Sequence, residues 1–272
     1  MNPTLITTDE QLRSFIPNVQ STVKGEQSLF DKMQPFLATA ETWVTSTFAP
    51  IEILLSSEIS QIASNLVAIE AYRKALPSID LLLTANGFAA VSTQNLAPAS
   101  KARIDRLVAS LTDQRDNLIA SLLTALADNE QWISTSQAAF FGATLFPDFA
   151  ILDATGITER KWEEYLRLRS QIIDLEASLA EEWFSPELMA ELRQRNLQGE
   201  AEQHEQTLIT AIQSQILGYL RNESFNSRRL ADIVNYIRIN PDKFHLWHNS
   251  ETSKLFSPPK FVNKKESSGY FF

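Results

Sequence analysis

Between Leu66 and Leu126 the chain reads as helix, then strand–turn–strand, then helix, and every other stretch has to be arranged around that block. Its centre is Ile79-Asp80-Leu81-Leu82-Leu83-Thr84, then Ala85-Asn86-Gly87, then Phe88-Ala89-Ala90-Val91-Ser92. Asn-Gly readily supplies the positive φ angles of a tight hairpin turn, so the segment predicts one β-hairpin over about residues 79–92. Leu81 to Leu83 are apolar on both faces, and such a strand needs cover on both sides. No other stretch looks like a sheet, and the expected class is mainly α: a helical bundle with one hairpin.

The helices announce themselves locally. Thr8 with Gln11 three residues on is a capping box for a short helix carrying Leu12, Phe15 and Ile16 and stopping before Pro17. Ser28 starts a second, with Phe30, Met33, Leu37, Ala40, Trp43 and Val44 on one stripe; Pro35 either kinks it or marks its first turn. Residues 51–76 keep the same spacing and are closed by Pro77. From Ser100 to about Ala127, Ile104, Leu107, Val108, Leu111, Ile119, Leu122 and Leu126 form one broad face, with Arg115 and Asp116 largely outside it. Residues 128–155, dense in aromatics and broken by Gly142 and Pro147, read as a short helix plus an ordered buried loop. Thr158 is expected to cap a long helix to about Phe184, Ser185-Pro186 to restart one to Gly199, and two more to cover 200–222 and 227–239.

Past Asn240-Pro241 the character changes. The last 32 residues carry five lysines against three acids, while the remainder of the chain is strongly acidic. Phe244, Leu246, Trp247, Leu255, Phe256, Phe261, Tyr270, Phe271 and Phe272 have no helical or strand period there. This predicts an extended arm that needs a groove on its own body or a neighbour. The expected organisation is therefore 1–127 as a helical domain with the hairpin, 128–240 as a helical extension and 241–272 as the arm. Partner contacts are expected at the hairpin tip, Asn86 and Gly87, and on the arm, Phe256, Phe261, Tyr270, Phe271 and Phe272. For the hairpin the favoured reading is that Ile79, Leu81, Leu83 and Phe88 finish the core, with the tip as a contact loop the lesser one; the terminal aromatics have a second reading, as a frayed end.

Three stretches resemble an uncharacterised protein family from tailed phages and prophages of Bacteroidetes. They are Leu5-Ile6-Thr7-Thr8 with Phe15-Ile16-Pro17, Tyr72 through Leu76-Pro77-Ser78-Ile79-Asp80 to Asn86-Gly87-Phe88, and Ala97-Pro98-Ala99-Ser100-Lys101 followed by Leu107 and Arg115-Asp116. That family is similar in turn to the all-helical head–tail connector, or adaptor, proteins. The resemblance covers about the first 126 residues. It implies a structural virion protein of the neck, made in the bacterial host cytoplasm, that forms a homo-oligomeric ring under the portal. Portal and other neck or tail proteins would be its partners, and DNA only passing cargo.

The chemistry of the residues points away from catalysis. There are no cysteines, which removes disulfides, thiolate metal sites and thiol nucleophiles. A net charge of -9 argues against broad binding to phosphate backbones or anionic membrane surfaces. The N-terminus has no basic then apolar leader, and no run approaches the roughly 18 apolar residues of a membrane span, so a soluble protein is expected. His245-x-x-His248 beside Pro241 lacks the preorganised geometry of a metal site. Glu163-Glu164 and Glu181-Glu182 point about 100° apart on a helix and read as solvated faces. Neither a phosphate loop nor a nucleophile elbow is present. The expectation is no enzyme, no cofactor and no metal. A helical cytoplasmic protein that binds or regulates a partner is the alternative to the connector.

Overall fold

The computed structural model describes residues 4–16, 28–79, 81–84, 87–90 and 100–257. Two compact units divide it, Met1–Ile173 with Arg193–Glu202, and Asp174–Leu192 with Gln203–Phe272. These divisions fall elsewhere than the expected boundaries at 127 and 240.

In the first unit, α1 (Asp9–Phe15) begins with the capping box of Thr8 and Gln11, and α2 (Leu29–Thr47) with Ser28 accepting from the Asp31 backbone N–H. The second helix passes through Pro35 as one element. The expected helix over 51–76 is two: α3 (Ile51–Leu54) ends in a turn at Leu55, and α4 (Ser60–Ile79) starts afresh. Pro77 does not close α4, which runs on to Ile79, so Ile79 ends a helix instead of starting a strand. Every residue from Leu66 to Ala71 is buried, as a helix flanked on both sides requires. Accordingly α4 packs between α2 and α5 (Lys101–Ala127), with α1 against it as well.

Strands β1 (Leu81–Thr84) and β2 (Gly87–Ala90) pair antiparallel, with Leu82 opposite Ala89 and Thr84 opposite Gly87. Asp80, Ala85, Asn86, Val91 and Ser92 lie outside the described residues.

The aromatic segment folds as three short helices, α6 (Glu130–Ile133), α7 (Ser136–Phe141) and α8 (Ala150–Thr155), around a buried loop holding Leu145, Phe146 and Phe149. Trp132 donates its indole N–H to the Phe48 carbonyl at 2.6 Å, and Tyr165 its hydroxyl to the Phe146 carbonyl at 3.0 Å. These two bonds let large amphipathic rings be buried without an unpaired polar atom.

Helix α9 (Lys161–Leu179) continues into a π-helical turn, Ala180–Phe184. Buried Ser185, at φ 67°, then breaks the helix, and its hydroxyl accepts from the Leu188 N–H to start α10 (Pro186–Gln198). The second unit adds α11 (Gln203–Asn222), α12 (Ser227–Arg238), α13 (His245–His248) and α14 (Glu251–Leu255).

The expected arm is corrected here over its first part. Residues 245–255 form two short helices, and α14 packs on the π-helical turn. Phe244 and Trp247 are buried, and Trp247 donates its indole N–H to the Trp183 carbonyl at 2.8 Å. What overrides the missing period is anchoring by single large rings, which needs no regular repeat.

Candidate functional site

Along α5 the buried positions step Leu111, Arg115, Ile119, Leu122 and Leu126, so a guanidinium occupies a place in the apolar stripe. Arg115 is 1% exposed and its neighbour Asp116 2%, which corrects their expected placement outside the buried face. A charge in such a position must be paired and hydrogen-bonded to be tolerated. Arg115 Nε and Nη2 donate to Asp116 Oδ1 at 2.9 and 2.6 Å, while Nη1 and Nη2 donate to Glu163 Oε1 and Oε2 at 2.8 and 2.7 Å. The second pair is a fork–fork contact, the strong geometry for arginine and carboxylate.

Asp116 uses its other oxygen to accept the backbone N–H of Lys161 at 2.6 Å, so a residue of α5 caps the start of α9. Exposed Thr158, the expected cap, stands three residues before that start. Glu163, expected on a solvated face, is half-buried and holds Arg115.

Burial pushes the Asp116 carboxyl above its ordinary value and outweighs the Arg115 charge beside it. Burial acts the same way on Glu163, but there the hydrogen bonds and charge of Arg115 win and hold it below its ordinary value. With four hydrogen bonds already made, the guanidinium is committed to the frame and is not an open anion site.

Next to this network α2, α4 and α9 enclose a pocket of about 620 Å³. Its apolar wall is Phe36, Trp43, Trp162 and Leu166, and its charged edge is Glu70, Arg73 and Lys74. Arg73 is itself tied to Glu70 at 2.8 and 2.9 Å. A second pocket of about 370 Å³ shares Trp43, Trp162 and Leu166 and extends to Phe140 and Gln137 on α7. Trp43 meets Phe48 and Trp162 edge-on, which fixes the wall's shape. An aromatic-walled depression with one cation in excess at its edge suits an apolar side chain or helix face.

Of the sequence-predicted contact residues, Gly87 lies in β2 opposite Thr84, and Phe256 packs on Trp183 and Trp247 of its own unit. Asn86, Phe261, Tyr270, Phe271 and Phe272 lie outside the described residues. His248 Nε2 sits 3.2 Å from the Ile237 carbonyl, His245 is exposed, and among the described residues no group of three or more His, Asp or Glu is placed to hold a metal. The network and pocket were missed in the sequence. The signal available was the charged pair Arg115-Asp116 interrupting an otherwise apolar step of three and four.

Fold and site together define a mainly α protein whose first unit carries a buried ion network beside an aromatic-walled groove. Residues 18–142, less than half of the chain, match the model of a family of unknown function, DUF6712, to which this chain is thus similar. No curated protein and no solved structure matches the chain. Among the described residues no helix is long and apolar enough to cross a membrane.

Proposed function

We propose that this chain is a structural virion protein of a tailed phage, a head–tail connector that forms a ring under the portal and works by assembly, not catalysis. The observation that carries the reading is where the resembling stretches fall. Leu5, Ile6 and Ile16 are core residues of the first unit, and Arg115-Asp116 is its ion network. These five residues of the likeness belong to the framework of one unit, as they would in a shared scaffold. The charge of -9 is consistent with a lumen that lets DNA pass without adhering, since like charge repels phosphate. In this reading the partners are further copies, the portal and other neck proteins, and the location is the virion neck after synthesis in the host cytoplasm.

The groove at Trp43 and Trp162 favours a second reading, a helical cytoplasmic protein that receives a partner's apolar segment. Electron microscopy of virions tests both. Density for this chain between portal and tail is the expected result. Virions lacking the chain at the neck, together with capture of a host or regulatory protein by the groove, would move the assignment to the binding protein.

A further inference from the structure

The end of α9 is not supported by its own neighbourhood in the chain. Its last turn, Ala180–Phe184, is π-helical, a form that occurs as single turns and often at functional sites. Buried Ser185 follows at φ 67°, a conformation that a residue with a Cβ keeps only when its surroundings hold it there. A helix end leaves carbonyls without donors, and in a π turn the donor would stand five residues on. For Glu181 that position is Pro186, which has no N–H, and for Trp183 it is Leu188, whose N–H already goes to the Ser185 hydroxyl.

Both carbonyls are satisfied from far along the chain. Thr252 Oγ1 donates to the Glu181 carbonyl at 3.4 Å, and the Trp247 indole N–H to the Trp183 carbonyl at 2.8 Å. Phe256 lies against both tryptophans, with ring centroids 5.7 Å from Trp183 and 5.9 Å from Trp247. Residues 244–257 thus supply the donors that the π turn lacks, and a ring that holds them in place.

On its other side the turn leads into α10. Ser185 is bonded into that helix, because its carbonyl accepts the Met189 N–H while its hydroxyl accepts that of Leu188. Helix α10 begins in the second unit and ends in the first. There Asn196 Nδ2 donates to the Leu145 carbonyl at 3.1 Å, and Leu197 lies so close to Gly142 that a Cβ on the glycine would stand 2.7 Å from Leu197 Cδ2. One residue more or less in the turn before a helix rotates it by about 100° and shifts it by about 1.5 Å, which would take Asn196 and Leu197 away from both contacts.

We propose that residues 244–257 form a latch that keeps the turn at Ala180–Phe184 in its π form, and that release of the latch is relayed along α10 to Gly142 and Leu145. Without the latch the carbonyls of Glu181 and Trp183 lose their donors, the π form loses its advantage over the α form, and α10 changes register. Coupling of this kind needs an element with two discrete states that both ends bias, and the π turn is that element. Phe256, half-buried against the two indoles, stands next to Leu255, which is 70% exposed. A partner with an apolar pocket for Leu255 and Phe256 opens the latch by competing with Trp183 for that ring. The inference is independent of the connector reading.

Hydrogen exchange of the full chain, read by mass spectrometry, tests this with two variants. Phe256→Ser removes the ring; Thr252→Val removes the hydroxyl donor and keeps the shape. In Phe256→Ser the amides of 244–257 and of 181–192 should exchange faster together, by about tenfold, with a smaller rise at 142–146 and wild-type rates in α4. Thr252→Val should move the same three segments by less, again without α4. If 181–192 keeps its wild-type rates in both variants, the latch is overturned. If 181–192 speeds up and 142–146 does not, the relay is overturned. A rise of equal size in α4 in both variants is ordinary loss of stability and overturns the proposal as a whole.

Discussion

Arg115 is held by two carboxylates that respond to burial in opposite directions, and this makes the network asymmetric to mutation. Arg115→Met leaves Asp116 buried without a cation, which is expected to cost about 3–5 kcal/mol in chemical denaturation. Glu163→Gln removes a charge that solvent already screens and should cost only about 1 kcal/mol. The pH dependence has a definite sign. Asp116, raised in the folded state, contributes stability that is fully present below its unfolded value near 3.8 and is lost as pH rises through the folded value. Glu163, lowered in the folded state, contributes stability present above its unfolded value near 4.5 and lost as pH falls through the folded value. In the wild type the two trends oppose each other. Without Arg115 the carboxyl of Asp116 moves further up and Glu163 loses its pull, so the deficit of Arg115→Met should shrink as pH is taken from about 7 to about 5. A deficit equal at both pH values would show that Asp116 does not feel its burial.

At the scale of elements, what could be read in the sequence was what is decided within four residues. Thr8 with Gln11, Ser28, and Ser185 with Pro186 each start the helix they predict, because a cap bonds its own first turn. The turn between α3 and α4 was hidden because Ile51, Leu54, Leu55, Ile59 and Ile62 keep a near-helical spacing straight across it. Non-local partners were hidden more deeply: Arg115 finds Glu163 48 positions away, and no local pattern reports that. The same limit applies to Phe244 and Trp247, whose burial depends on rings and carbonyls far off in the chain. Helix ends that are local should also fail locally. Gly156 closes α8 at φ 78° with nothing within 4 Å of where a Cβ would stand. Gly156→Ala should therefore cost about 1 kcal/mol through backbone conformation alone, seen as a small drop in Tm with no change in spectrum.

For the whole molecule, the packing of residues 244–257 decides where the chain tolerates a cut. A version ending at Asn240 loses Phe244 and Trp247, each buried and in ring contact within the second unit, and losses of this kind cost about 3–5 kcal/mol per large side chain. It should bind a hydrophobic dye and lose near-ultraviolet circular dichroism. A version ending at Ser257 keeps every one of these contacts and should do neither; dye binding by that longer form would mean that residues beyond it complete the unit. The cap that Asp116 provides for α9 has a consequence in time. A helix whose first amide is held by a residue 45 positions earlier does not carry its own starting signal. Its start becomes definite only after α5 has formed and approached, so pulse-labelled hydrogen exchange should find the Lys161 amide protected later than the amides of α4 and α5. The boundary of α9 is in that sense a record of the order in which the chain folds.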